Sequence, residues 1–199
     1  MDETGSFRLL SRRRVFQNSK FEVFSDTLVC PDGSVVKDYL SVFPLVASRE
    51  GITGVAVLPV LENRIGLLLV DRHPMGQEGW EIPRGFVDEG ESFLNAAVRE
   101  LREETGLEAS MDCMTPVGTI SPDAGLVKGL IRLFVAEPCK LPEKTREVQE
   151  LGHRSFQYFT FPEVSNLLDS GAIRDPSTLV SILSFFRRRN WTDSGTTQK

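Results

Sequence analysis

Apolar and polar positions follow two different periods along this chain, and the switch between them marks its elements. From Lys20 the period is close to two. FEVFSDTLVC, the turn Pro31-Asp32-Gly33-Ser34 and then VVKDYLSVF predict a β-hairpin. The turn carries its own mechanism, because proline sets φ and glycine accepts a positive φ. Residues 54–59 (GVAVLP) and 65–71 (IGLLLVD) are near-continuous apolar runs joined across Glu62-Asn63-Arg64, as expected of strands covered on both faces. Residues 72–79 read as a polar loop. Trp80-Glu81-Ile82-Pro83-Arg84-Gly85 follows, where Pro83 and Gly85 impose a defined turn. Further strands are read at 114–120, 129–138 and 155–161.

The helical period appears three times. Leu94, Ala97, Val98, Leu101 and Thr105 recur at helical steps, and Gly106 stands where a left-handed cap would end that helix. Residues 162–170 predict a short helix. Asp175-Pro176 is an N-cap with proline at the first position, opening a helix with Leu179, Ile182, Leu183 and Phe186 on one face. Residues 1–15 carry Arg12-Arg13-Arg14 and no clear period, and read as a mobile arm or a first edge strand. The chain beyond Trp191 reads as a flexible tail. The layout is α+β, with helices covering a mixed sheet.

Composition narrows this little. The chain has 199 residues, is 40 % hydrophobic and carries a net charge of −5, with no basic face to suggest a nucleic-acid partner. No apolar run is long enough to span a membrane, and MDETGSFRLLSRRR lacks the apolar core of a secretory signal. Cys30, Cys113 and Cys139 are odd in number and scattered, which fits a reducing cytoplasm. His73 and His153 stand in no ligand spacing with them and in no pattern that suggests a base or nucleophile.

The acids of the first helix do change the picture. Glu100, Glu103 and Glu104 fall within one arc, off the apolar stripe as read from the period. Like charges at that spacing each cost roughly 0.2–0.5 kcal/mol, and carboxylates near a helix C-terminus meet the negative end of its dipole. Arg99, one turn before Glu103, offsets only part of this. A rigid cluster of hard oxygen ligands suits Mg²⁺ or Mn²⁺, which would also reverse the local field for an anionic substrate.

Gly85, Glu91, Arg99-Glu100-Leu101, Glu103-Glu104 and Gly106-Leu107 match Gly-x5-Glu-x7-Arg-Glu-U-x-Glu-Glu-x-Gly-U, with U apolar, at every defined position and with both spacers intact. This is the Nudix box, and the sequence resembles a Nudix hydrolase. The resemblance implies an α/β/α sandwich, a mixed sheet between helices, with an extra N-terminal antiparallel sheet. Residues 1–48 would form the arm and hairpin, 49–189 the catalytic domain and 190–199 the tail.

Three features outside the box are similar to the ADP-ribose pyrophosphatase subgroup, which acts on nucleoside-diphosphate sugars. They are Glu81-Ile82-Pro83-Arg84-Gly85 beside that group's Glu-Leu-Pro-Ala-Gly, Pro122 fifteen residues beyond Leu107, and the N-terminal hairpin that the group uses to form homodimers. The chain departs from the pattern at Arg84, where a small residue is usual, and at Asp123-Ala124, which separate Pro122 from Gly125. It also shows no tryptophan near Lys37-Asp38-Tyr39; Tyr39 or Phe43 is the aromatic residue available to stack a base.

By the same resemblance Glu100 and Glu104 would be direct metal ligands, Glu103 a ligand or a water-orienting group, and the backbone carbonyl of Arg84 a further ligand. Gly85, Glu91, Arg99 and Gly106 would be structural. The general base would come from a loop holding Glu143, Glu147 and Glu150, with Glu150 favoured and Glu147 next. Arg72, Glu81 and Pro122 are the candidate substrate contacts, Arg72 because a guanidinium suits bidentate grip of a phosphate. The cofactor would be Mg²⁺, or Mn²⁺, and the reaction water attack on a diphosphate. Other Nudix substrates (GDP-mannose, NADH or dinucleoside polyphosphates) and a non-catalytic ADP-ribose sensor are the alternatives.

Overall fold

The computed structural model describes residues 6–46, 50–140 and 151–189. The chain divides into two compact units, Met1–Thr53 with Ser121–Leu130, and Gly54–Ile120 with Ile131–Lys199.

In the first unit β1 (Arg8–Gln17), β2 (Phe21–Val29) and β3 (Val35–Pro44) form an antiparallel sheet in that order. The predicted hairpin is β2–β3, closed by Gly33 at φ +83° and by Asp32, whose carboxylate accepts from the Ser34 N–H at 2.9 Å. Of the two readings of the N-terminus the edge strand is the one observed, and it makes the hairpin a three-stranded sheet. Asp26 in the middle strand is buried, and Arg12 on β1 donates to both its oxygens at 2.8 and 2.7 Å while Ser41 on β3 donates at 3.0 Å. One carboxylate thus ties all three strands. The segment 121–130 joins β3 through bonds from Val42 N–H to Leu126 O and from Lys128 N–H to Val42 O, both 2.8 Å. Tyr39 donates its hydroxyl to Gly125 O, and Phe43 lies under the cations of Arg12 and Lys128 at 4.6 and 4.9 Å. Leu9, Leu10, Phe16, Val35 and Leu40 are exposed.

The second sheet takes β4 (Ile52–Leu61), β5 (Arg64–Arg72), β6 (Gln77–Glu81), β7 (Arg84–Phe86), β8 (Met114–Ile120), β9 (Leu130–Ala136) and β10 (His153–Phe159). Its main order is β10-β5-β4-β9-β8, with β6 paired to β5 and β7 to β4. Gly54 lies beside Ile131 and the Val60 carbonyl accepts from Cys139 N–H at 3.0 Å, so β4 and β9 run the same way among otherwise antiparallel neighbours. The sheet is mixed.

Alternation along β4 sorts its side chains between two cores. Ala56, Leu58 and Val60 pack with Val164 of α2 (Phe161–Asp169) and with Ile182, Phe185 and Phe186 of α3 (Pro176–Arg188). Val55 and Val57 face Ala96, Ala97 and Leu101 of α1 (Phe93–Thr105). The near-continuous apolar runs therefore mark strands covered on both faces, as read. Burial of each such side chain contributes about 1.5–3 kcal/mol, and the result is the expected α/β/α sandwich.

Two expectations about elements are corrected. The polar loop at 72–79 holds a 3-10 turn, His73–Met75, and most of strand β6, which pairs only with β5. An edge strand with polar residues shows no apolar period, so it reads as loop. On α3 the expected Ile182 and Phe186 are buried, with Thr178, Ser181 and Phe185 beside them, and Leu183 is exposed. Asp175 caps the helix by accepting from Thr178 N–H at 2.9 Å, and Thr178 Oγ1 accepts from Ile82 N–H at 3.0 Å, which holds Thr178 inward.

Candidate active site

Helix α1 is fixed at both ends. Ser92 Oγ accepts from Asn95 N–H at 3.1 Å, and Gly106 at φ +72° donates its N–H to Arg102 O. Strand β7 pairs Gly54 with Phe86 and Val55 with Gly85, which lays the backbone 84–86 across the helix. A Cβ on Gly85 would stand 2.2–2.4 Å from the Glu100 carboxylate, and one on Gly54 would stand 2.8 Å from Gly85 O. Two glycines let β4, β7 and α1 stack this closely. The Arg84 N–H donates to Glu104 Oε2 at 3.2 Å.

This corrects the expected arc of acids. Glu100 and Glu104 are buried, 8 % and 3 % exposed, and share the covered side of α1 with Ala96, Ala97 and Leu101; only Glu103 is exposed. Helical phase alone does not reveal this, because the covering surface is backbone rather than an apolar side chain.

Arg99 is the hub of the box. It grips Glu91 through Nε at 3.1 Å and Nη2 at 2.9 Å, pairs with Glu100 at 2.6 Å and Glu103 at 3.2 Å, and donates to Phe86 O at 2.9 Å. Those bonds hold the Glu91 carboxyl below the usual carboxylate range. A second chain of charge starts at Glu81, which accepts from Arg72 at 2.7 Å and from Arg84 at 3.0 Å; Arg84 also pairs with Asp175 at 3.2 Å. Burial opposes the Glu81 charge, but the two guanidiniums more than offset it and its pKa is lowered. These groups, with Trp80 and Arg174, line a cleft of about 210 Å³. Trp80 meets Phe159 edge-on at 4.7 Å.

His153, at the start of β10, has its side chain 6 % exposed and its Nε2 3.9 Å from Glu104 Oε2. In the sequence this histidine stands in no pattern that marks a role, and only the fold brings it to Glu104. The Arg84 side chain, at a position where only the backbone carbonyl is expected to act, bridges Glu81 to the N-cap of α3.

The donor chemistry fits a hard divalent cation, with two buried carboxylates lying against one backbone turn. Among the described residues no three His, Cys, Asp or Glu side chains form a ready cage. A Mg²⁺-type ion, which usually takes one or two carboxylates and completes its shell with water and substrate phosphate, does not require one.

The NUDIX domain family matches residues 52–179, more than half of the chain. The chain belongs to the Nudix family. This Nudix protein is 25 % identical over 176 residues to the ADP-ribose pyrophosphatase of Bacillus subtilis (strain 168), across 88 % of this chain and 90 % of that one. It is 28 % identical over 177 residues to a CMP-5'-(N-acetyl-N-hydroxy-3-aminopropyl)phosphonate hydrolase of Streptomyces rubellomurinus, across 86 % and 78 %. A crystal structure of an ADP compounds hydrolase superposes with a TM-score of 0.75 over 96 % of this chain and 97 % of that one, at 17 % identity, and shares its fold. The protein is a hydrolase of diphosphate bonds, similar to ADP-ribose pyrophosphatases.

Of the residues singled out in the sequence, the structure brings Gly85, Glu91, Arg99, Glu100, Glu103, Glu104 and the Arg84 backbone together. Arg72 and Glu81 form one ion pair in the cleft. Pro122 lies in the segment 121–130 of the first unit. Glu143, Glu147 and Glu150 lie outside the described residues, as does the tail 190–199. No helix among the described residues is long and apolar enough to cross a membrane.

Proposed function

We propose that this Nudix hydrolase is Mg²⁺-dependent, and that it cleaves ADP-ribose or a related nucleoside-diphosphate sugar to AMP and a sugar phosphate. The observation that carries the reading is the pair of buried box glutamates, Glu100 and Glu104, set against the 84–85 backbone. The substrate class is supported by similarity to an ADP-ribose pyrophosphatase along nearly the whole chain.

Glu100, Glu104, Glu103 and the Arg84 carbonyl would hold the ion. When bound it neutralises phosphate charge and lowers the pKa of a bound water from about 15.7 towards neutral. The chain's own part is positional. Arg99 and Glu91 lock the 85–91 loop to α1, and Gly85 admits the Glu100 carboxylate. Arg72 and Glu81 order the cleft wall, from which Arg72 can exchange part of its pairing for a phosphate oxygen. Pro122 would shape a substrate loop. Glu150, or Glu147, would take the proton of the attacking water as its oxygen bonds to one phosphorus; the bridging oxygen leaves with the other phosphate. The exposed apolar side chains of β1 and β3 support a homodimer through the N-terminal sheet. The scattered cysteines fit a cytoplasmic setting.

The test is phosphate release, coupled to added phosphatase, from ADP-ribose, ADP-glucose, GDP-mannose, NADH and dinucleoside polyphosphates with Mg²⁺, Glu104→Gln running beside the native chain. A preference for ADP-ribose, reduced on the order of 10³-fold in the variant, is expected. A preference for GDP-mannose would keep the box chemistry and reject ADP-ribose, and the reading of Pro122, for this chain. Tight ADP-ribose binding without turnover would favour the sensor. Light scattering that gives a monomer at micromolar concentration would reject the dimer.

A further inference from the structure

The partner of Glu104 on β10 is a consequence of one extra residue. Along β10 and β5 the register runs Phe159 to Ile65, Phe156 to Leu68 and Ser155 to Leu69, and then slips so that His153 faces Val70. Arg154 is the inserted residue, and its guanidinium goes to Asp71 and Glu78 on the surface. Phe156 and Tyr158 pack on the α1 side of the sheet and Phe159 on the α2–α3 side. Strict alternation would therefore place His153 with Phe159, away from α1. The bulge reverses that parity and turns the imidazole towards Glu104. Gly152, at φ +87°, makes the bulge possible, since a Cβ there would stand 2.4 Å from Asp71 O.

The imidazole and the Glu104 side chain are 6 % and 4 % exposed, and Nε2 stands 3.9 Å from Oε2. A direct hydrogen bond needs an approach of about 1 Å more, within reach of a rotation of either planar group. The same Oε2 already accepts from the Arg84 N–H. Two groups from two elements, a backbone N–H on β7 and an imidazole on β10, thus converge on one oxygen of the last box glutamate.

We propose that His153 is a positioning residue of the metal site: it donates from Nε2 to Glu104 Oε2 and fixes the orientation in which that carboxylate takes a divalent cation. This rests on the reading of Glu104 as a ligand. Groups that orient a ligating carboxylate commonly account for 10–100-fold in metal affinity. The bulge is the structural device that places this one.

Mn²⁺ binding to the full chain, followed by electron paramagnetic resonance, tests the proposal in the native chain, His153→Leu, His153→Gln and Glu104→Gln. Leucine keeps the buried volume and removes the donor; glutamine keeps a terminal amide that can donate to the same oxygen. The expected result is Mn²⁺ affinity weakened roughly 10–100-fold in His153→Leu, mostly restored in His153→Gln, with kcat recovered at saturating Mn²⁺. If His153→Leu does not fold, His153→Asn, whose amide is too short to reach, takes its place with the same expected loss. Native affinity in the leucine or asparagine variant, with binding lost in Glu104→Gln, would overturn the role of His153 and leave the metal site standing. Native affinity in Glu104→Gln would overturn both.

Discussion

Two of the arginines that pair with acids in this chain do so in opposite proportion. In the three-stranded sheet Arg12 meets one carboxylate, the buried Asp26, through two bonds of 2.8 and 2.7 Å. In the box Arg99 serves Glu91, Glu100 and Glu103 at once, and Glu104 lies against the same turn of backbone. The first arrangement closes its own charge and is complete as architecture. The second holds Glu91, Glu100 and Glu103 on one guanidinium, with Asp88 a fourth acid at 3.8 Å, an excess that folding alone does not require. Charge balance marks a structural pair, and a rigid local excess of acids marks a place for a cation.

The largest effect should come from Gly85→Ala, which acts on the second arrangement and leaves the first alone. Its Cβ cannot coexist with the Glu100 carboxylate at 2.2 Å, so the 84–86 strand or the glutamate must shift. A displacement of that order is expected to lower AMP release roughly 100-fold or more. Native turnover in a folded Gly85→Ala chain would show that the close stack of β7 on α1 does not matter to the chemistry.

Removing each arginine sharpens the contrast. Arg12→Ala leaves Asp26 buried with Ser41 alone, and Arg99→Ala leaves three carboxylates crowded; each should cost about 2 kcal/mol in denaturant unfolding. Added Mg²⁺ or Mn²⁺ should recover part of the loss in Arg99→Ala and none in Arg12→Ala. Equal recovery in both would remove the distinction drawn here. In the native chain an ion at a hundred times its Kd should add about 2.7 kcal/mol, read as a rise in Tm, and Glu104→Gln should abolish most of that rise.

The smallest effect is the acid limb of stability. The Arg12 hydrogen bonds hold the Asp26 carboxyl below its ordinary value of 3.8, and Ser41 lowers it further. A depressed carboxylate contributes stability that is fully present above its unfolded value and is lost as pH falls through its folded one. The native chain should therefore lose stability below about pH 3.8, and Asp26→Asn should flatten that part of the profile. An unchanged acid limb in Asp26→Asn would show that Asp26 does not report on the pair.

Much of this was legible before any coordinates. The box is a local pattern, so nine positions and two spacers identify it without knowledge of what lies across from it. The apolar runs at 54–59 and 65–71 announce strands covered on both sides, because each is bounded by turn residues and too short for a buried helix. Strand β6 was not legible, since an edge that pairs with one neighbour has no need of an apolar period. Apolar character alone places Leu183 on the buried face of α3, but that face includes the polar Thr178, held there by the Asp175 cap.

What the residues determined by themselves is therefore local: the turn at 31–34, the glycine cap of α1, the Asp175 N-cap and the nine-position box. Each depends on groups a few residues apart, whose geometry short-range sterics and hydrogen bonding set. What only the tertiary structure decided is which groups meet across the sequence. The burial of Glu100 and Glu104 depends on the backbone that β4 brings over α1, and the place of His153 depends on one inserted residue in β10. Side-chain facing in a strand has a period of two, so a single bulge reverses it, and no pattern within the strand itself records that reversal.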